Sequence, residues 1–168
     1  IYARKFMREK ALFHLKKALS INIFDPMILL ELGRIYIEDG EPQKALNVLK
    51  GFESEPVMGM MANYYQGTAH LELRNLSKAK NLFNVVIDKA SSTYPKAYYN
   101  MGNIMSLEKK PGLSHYYLGL YYSEINNNKN AVLHFNKALE TLTEEPDIKK
   151  AKTLLKKLTK KSGNGRKK

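Results

Sequence analysis

Cysteine and tryptophan are absent from the 168-residue sequence. Without cysteine the chain can form neither a disulfide framework nor a thiolate metal site, although this absence does not fix the compartment. No apolar run reaches the roughly eighteen residues that a membrane-spanning helix needs. The chain opens with no signal-peptide pattern, and because it begins at Ile1 rather than methionine we expect a piece of a longer protein.

Acidic residues are missing from one end of the chain. From Ile148 to Lys168 there are ten Lys or Arg and no Asp or Glu, so the formal charge of +12 is mostly a C-terminal property. Residues 1–147 carry 18 basic and 16 acidic side chains and are nearly neutral. Basic residues can contact phosphates, but no aromatic residues are interleaved with these lysines, as a base-stacking surface would require. Nucleic-acid or acidic-surface binding through this end is therefore only the alternative prediction.

Catalytic motifs are lacking as well. No His-Glu-x-x-His occurs, and Gly112-Leu113-Ser114 lacks the second glycine of a serine nucleophile elbow. Gly163-Asn164-Gly165 lies in a polar tail, where it does not indicate a phosphate-binding loop. We therefore predict no catalytic residues, no metal site and no cofactor in this chain, and we expect that the chain itself is not an enzyme.

A segment of two predicted helices, residues 116–139, carries the clearest positive pattern. Gly119 is followed by Tyr122 after three residues, by Ala131 after twelve and by Phe135 after sixteen. The glycines of this frame recur at steps of 34 and 35 residues, and the alanines that begin at Ala11 recur at steps of 34. Small residues at such positions let two helix backbones approach closely. The residues assigned to packing between helices are Gly33, Ala45, Gly67, Ala79, Gly102, Gly119, Ala131 and Ala138.

This pattern resembles the tetratricopeptide repeat, a helix–turn–helix unit of 34 residues. The resemblance rests on the Leu-Gly pair, the tyrosine, the alanines and the aromatic residue of the segment 116–139, and on their recurrence from Leu32-Gly33 onward. It implies an all-α solenoid of antiparallel helix pairs, a superhelix of about nine helices with a C-terminal capping helix. It also implies that the chain functions in protein–protein recognition.

Turn residues predict where the helices begin and end. Asp25-Pro26 is typical of a helix start, Asp39-Gly40 of a helix stop, and the asparagines 126–128 of a chain reversal. The predicted helices span 2–21, 26–38, 42–52, 56–73, 77–91, 95–107, 113–125 and 129–142, with a last one from 146. We expect one repeat domain over residues 1–160, beginning with the second helix of a partial repeat, and a disordered basic tail over 161–168.

The repeat register changes near the middle of the chain. Gly102 and Gly119 are only 17 residues apart, half of one period. The helix 113–125 can therefore serve as the second helix of one repeat and the first helix of the next, with Ser114 where the former needs a small residue. The spacing is compatible both with a deletion and with this reuse.

The first helices of such repeats line a concave groove, which is what the resemblance implies for partner binding. Tyrosine and methionine suit a binding surface because they offer large or adaptable contact area, and nine of the eleven tyrosines lie between residues 64 and 122. A protein or peptide is the predicted partner, as an extended peptide or a helix lying in the groove. The predicted groove residues are Met27, Leu30, Arg34, Met61, Tyr64, Thr68, Lys96, Tyr99, Asn103 and Tyr116.

The four histidines are interpreted as structural. His14 and His134 occupy the same place in two related segments, each beside core positions, and His70 stands where the repeat usually has tyrosine. His115 has no His or Glu at a useful helical spacing within its own helix. The sequence therefore predicts no metal ligand set.

A narrower resemblance covers residues 95–142. The half-period register, followed by His115-Tyr116-Tyr117-Leu118-Gly119-Leu120-Tyr121-Tyr122, looks like the C-terminal repeats of bacterial zinc metalloproteases. In those proteins the catalytic motif lies upstream and the enzymes are envelope-associated. This resemblance implies the recognition domain of a larger periplasmic or envelope-associated protease; without it we expect a cytoplasmic protein.

Overall fold

A computed structural model describes residues 2–22, 25–52 and 58–164 of the chain. Within these residues it contains nine α-helices and no β-strand, which confirms the predicted all-α class and the number of helices. The chain divides into two compact units between Val85 and Val86, whereas the single domain over 1–160 stays a prediction. The helices are α1 Tyr2–Ile21, α2 Pro26–Glu38, α3 Pro42–Leu49, α4 Gly59–Glu72, α5 Leu76–Ala90, α6 Lys96–Leu107, α7 Pro111–Glu124, α8 Asn128–Thr141 and α9 Glu145–Asn164.

The start of α2 follows the predicted chemistry. The Asp25 carboxylate accepts hydrogen bonds from the backbone N–H groups of Met27 at 2.9 Å and Ile28 at 3.2 Å. These donors have no partner inside the helix, so the carboxylate satisfies them, while proline occupies the first turn. Arg8 of α1 pairs with Asp39 at the other end of α2, at 3.1 Å between Nε and Oδ1.

Four helices end in the same hydrogen-bonded turn. In α2, α4, α6 and α7 the residue seven positions after the repeat glycine has a left-handed backbone, with φ between 58° and 74°. At each of them two backbone N–H groups return to the last helical turn, as in Asn127 N to Tyr122 O at 2.8 Å and Asn126 N to Ser123 O at 3.1 Å. The left-handed residues are Gly40, Arg74, Lys109 and Asn126.

In the unit that ends at Val85, helices pack through the repeat glycines. A Cβ added to Gly33 of α2 would lie 2.6 Å from Leu49 Cγ of α3, and one added to Gly67 of α4 would lie 2.9 Å from Phe83 Cε1 of α5. Leu49 and Phe83 are fully buried. In both pairs the glycine contacts the residue sixteen positions later, so one spacing produces both helix pairs.

The unit that begins at Val86 uses α7 twice. A Cβ at Gly102 of α6 would lie 3.2 Å from Leu118 Cγ and 3.2 Å from the Ser114 carbonyl oxygen of α7. A Cβ at Gly119 of α7 would in turn lie 2.7 Å from the ring of Phe135 in α8. One side of α7 therefore packs as the second helix of a repeat and the other as a first helix, which is the reuse that the half-period step allowed.

The last helix covers α8. Ala151 and Leu158 of α9 are buried in one cluster with Ala131 and Phe135 of α8. The helix runs to Asn164, and the disordered basic tail over 161–168 stays a prediction. Residues 165–168 and the predicted helix start at Pro56 lie outside the described residues.

The helix from Pro42 ends at Leu49 rather than near Phe52, because Lys50 is extended.

Candidate interaction surfaces

The predicted groove positions on α2 differ widely in exposure. Met27 exposes 57% of its surface, whereas Leu30 exposes 1% and packs with Leu49 and Ala62 in the core of its unit. The assignment of Leu30 to the groove is therefore wrong, because a side chain that closes the core cannot contact a ligand. The helical period alone places Leu30 on the groove side, but the approach of α4 covers it.

Arg34 of α2 is already engaged by two carboxylates of its own helix. Its Nε donates to Glu31 Oε2 at 2.9 Å, and its two other nitrogens contact Glu31 and Glu38. The hydrogen bond to Glu31 comes first among the causes that raise the pKa of Arg34, and the same contact lowers the pKa of Glu31. Because the guanidinium is locally neutralised, a ligand carboxylate would have to compete with both acids.

On α4 the predicted residues are partly covered. Met61 packs against the core cluster that contains Leu30, and the Tyr64 ring lies 6.2 Å from the Phe83 ring, centroid to centroid. The Thr68 hydroxyl donates to the Tyr64 carbonyl oxygen at 2.9 Å, within the helix. Tyr64 and Met61 can therefore present only part of their surface to a partner.

On α6 one tyrosine is held at the surface. Tyr99 exposes 42% of its surface, and its ring packs edge-on against Tyr121 of α7, with centroids 5.5 Å apart. Lys96 is exposed one turn earlier on the same helix and Asn103 is half-buried one turn later. Residues three and four apart share a helix face, so these three predicted residues line one side of α6.

Tyr116 does not lie with Tyr99. Its ring contacts Tyr117 at 5.6 Å and Phe135 at 6.1 Å, and it packs against the core cluster of α8 and α9. Tyr121, the neighbour of Tyr99, is five residues further along α7, about 140° around the helix. The reuse of α7 thus separates two positions that the repeat frame treats as equivalent.

Burial makes the inner tyrosines harder to deprotonate. It raises the pKa of Tyr98 and of Tyr117, and it raises that of Tyr116 to about 12. Tyrosine is uncharged near neutral pH at its ordinary pKa of about 10, and the raised pKa keeps these side chains uncharged in more alkaline solution as well. They act as hydrogen-bonding groups with large apolar rings.

A histidine pair joins α7 and α8, which sequence reasoning missed. His115 Nδ1 lies 3.0 Å from His134 Nδ1, so one nitrogen donates and the other accepts, and the His134 ring stacks on Tyr122 at 5.2 Å. Burial lowers the pKa of both histidines, and the neighbouring His115 lowers that of His134 further. One signal in the sequence could have revealed the pair. His134 directly precedes Phe135, and the repeat frame packs Phe135 on Gly119 of α7, so His134 is expected close to α7.

Metal and membrane sites are not apparent in the described part of the chain. No three His, Asp or Glu side chains come together there to hold a metal ion. None of the helices described combines the length and hydrophobicity that a membrane span requires.

Comparison with solved structures shows which fold this is. The chain superimposes on a crystal structure of MamA, a tetratricopeptide-repeat protein, with a TM-score of 0.62 and 20% sequence identity, covering 99% of this chain and 95% of that one. A second MamA structure matches with a TM-score of 0.61 and 21% identity over 96% of this chain and 86% of the other. The helices thus share the MamA fold.

Comparison by sequence found no match. No protein-family model matches the chain, and no curated protein matches it. The likeness is therefore one of fold.

Proposed function

We propose that this chain is a protein-interaction module that binds a peptide or a helix of another protein through the exposed faces of its first helices. In the unit that begins at Val86 the contact surface is the α6 face, defined as Lys96, Tyr99 and Asn103. In the other unit it is formed by Met27, Arg34, Met61, Tyr64 and Thr68. Tetratricopeptide-repeat proteins such as MamA share this fold, which supports a scaffold role.

The exposed ring of Tyr99 carries the proposal. A tyrosine that exposes 42% of its surface yet is braced edge-on by Tyr121 loses little side-chain freedom when a partner covers it. Interface hot spots are enriched in tyrosine, and truncation of one costs about 2 kcal/mol or more in binding. Lys96 and Asn103, one turn to either side, would orient the ligand through polar contacts.

Selection of peptides by display against the intact chain, followed by affinity measurement, tests this proposal. We expect Tyr99→Ala to weaken binding of the selected peptides by at least about tenfold, and Lys96→Ala by less. Leu133→Ala is the matched control, because Leu133 exposes 48% of its surface on α8 and lies outside the α6 face. Tyr64→Ala is measured in parallel, with its melting temperature checked because its ring is partly buried.

A shortened chain separates the faces from the basic end. A chain that ends at Thr159 should bind the selected peptides with nearly unchanged affinity at high salt, since exposed lysines add only screened attraction. If the truncation abolishes binding while Tyr99→Ala and Tyr64→Ala bind normally, the basic end is the functional surface and this proposal fails.

Association with a metalloprotease remains a narrower prediction, because the likeness to MamA concerns the repeat fold and carries no protease motif. It requires a His-Glu-x-x-His motif in the same polypeptide upstream of Ile1. Sequencing the coding region upstream decides it, and the interaction proposal holds for either result.

A further inference from the structure

A cavity of about 480 Å³ lies between α7 and α9, and Tyr99 is not among the residues that line it. Its apolar lining comes from Tyr116, Pro146 and Leu154, and Lys149, Lys150 and Thr153 complete it. Tyr116 and Leu154 also pack against the core cluster around Phe135, so this lining is held in place. The cavity therefore offers a fixed apolar contact beside two ammonium groups.

Lysines and carboxylates both lie near this cavity: Lys149 and Lys150 line it, and Glu145 and Asp147 belong to the first turn of α9. Lys150 Nζ lies 3.9 Å from Asp147 Oδ1, whereas Lys149 makes no ion pair within the described part of the chain. After Asp147 the sequence has no further acidic residue, and the described lysines of α9 are exposed. The positive potential of the exposed α9 lysines attracts anionic ligands and raises their association rate.

We infer that this cavity binds the apolar side chain of an acidic peptide segment, with carboxylates flanking that side chain paired to Lys149 and Lys150. The inference rests on the proposed interaction function and adds a second contact surface to it, with a partner of stated chemistry. The apolar lining of the cavity favours a leucine or an aromatic side chain of the peptide. The lysines favour acidic residues on either side of that side chain, because the charges are complementary. A nucleic acid would use the lysines but would leave the apolar cavity unfilled.

Fluorescence anisotropy with a labelled peptide that carries one leucine between glutamates measures this binding. We expect the peptide to bind the intact chain, and a version with serine in place of the leucine to bind at least about tenfold more weakly. Lys149→Glu/Lys150→Glu should weaken binding by about tenfold or more. Lys152→Glu/Lys156→Glu changes the net charge equally outside the cavity lining and should weaken it less than about threefold.

A blocking variant tests occupancy of the cavity without changing charge. Thr153→Trp fills the cavity from an exposed position and should abolish binding of the acidic peptide. Thr159→Trp is its matched control, because both threonine hydroxyls donate to a carbonyl oxygen four residues earlier on α9 and only Thr153 lines the cavity. Binding that survives Thr153→Trp, or equal losses in both lysine pairs, would overturn the inference.

Two further outcomes separate this inference from the interaction proposal. If Tyr99→Ala abolishes acidic-peptide binding while Thr153→Trp does not, the peptide occupies the α6 face, so the interaction proposal stands and this inference fails. If a single-stranded oligonucleotide displaces the peptide and binds Thr153→Trp unchanged, the lysines form a general polyanion surface, which also rejects the inference.

Discussion

Gly119 of α7 lies directly against the ring of Phe135 in α8. A Cβ on Gly119 would come within 2.7 Å of the Phe135 Cδ1 and Cε1 atoms, and the Phe135 ring is fully buried. This contact joins two residues sixteen positions apart, the same separation that places Gly33 on Leu49 and Gly67 on Phe83.

Alanine at the repeat glycines should cost more stability in α7 than in α6. Gly119→Ala should lower the free energy of unfolding by about 1–2 kcal/mol, because overpacking against a buried ring outweighs the gain in helix propensity. Gly102→Ala places its Cβ 3.2 Å from Leu118 Cγ and should change stability by less than about 0.5 kcal/mol, because the propensity gain offsets the smaller clash. Urea unfolding of both variants checks this, and equal effects would mean that the two contacts do not differ as described.

Gln66 should contribute to stability through a buried hydrogen bond to the backbone of Leu49. Its Nε2 donates at 2.7 Å to the carbonyl oxygen of Leu49, at the end of α3. Gln66→Met keeps the side-chain length but leaves that carbonyl without this donor, so we expect a loss of about 1–3 kcal/mol in unfolding free energy. Gln43→Met, which removes an exposed 3.3 Å contact to Asn47, serves as the control and should be near neutral.

The paired histidines should make the stability of α7 and α8 depend on pH. Because burial lowers the pKa of His115 and His134 in the folded state, the unfolded chain binds protons first as pH falls. Stability should thus be full above the unfolded pKa of about 6.5 and decline below it, through the lowered folded pKa. Urea unfolding at about pH 8, 6.5 and 5 measures this decline.

A substitution at the pair tests the cause of this decline. His134→Phe keeps a ring beside Tyr122 and should reduce the loss between about pH 6.5 and 5. His14→Phe, at an exposed site on α1, should leave it unchanged. The free energy of unfolding should still fall somewhat with falling pH in both variants, since burial also lowers the pKa of His70. If the free energy of unfolding depends on pH equally in His134→Phe and in the original chain, the histidine pair does not cause the decline.

The same pair should not retain zinc. Structural zinc sites use four protein ligands and catalytic sites three, whereas His115 and His134 offer two near the cationic Lys137. We expect less than about one-tenth equivalent of zinc after dialysis, measured by plasma emission spectroscopy. Stoichiometric zinc that disappears in His115→Ala would contradict this expectation.

Much of the fold could be read from the order of residues. A helix repeats its faces every 3.6 residues, and only a small side chain lets two backbones approach, so Gly33, Gly67 and their partners sixteen residues later are visible in the sequence. Turn chemistry was also readable at Asp25, Gly40 and Asn126. At Lys109 the turn was readable from the following Pro111 and Gly112, but the left-handed backbone was not. It was not readable at Arg74 either, because neither residue favours the conformation that the helix-ending hydrogen bonds impose there.

The contact surfaces depended on tertiary structure. Spacing places Leu30 on the groove side of α2, and the packing of α4 buries it. The repeat spacing likewise makes Tyr99 and Tyr116 equivalent positions. Because α7 packs on both α6 and α8, the two tyrosines have different neighbours: Tyr99 contacts Tyr121, and Tyr116 contacts Phe135. His115 and His134 meet only because α7 and α8 bring two helix faces together. Local chemistry dictates the period, the helices and most turns, whereas the exposure of each face depends on which neighbour covers it, and that requires the packed chain.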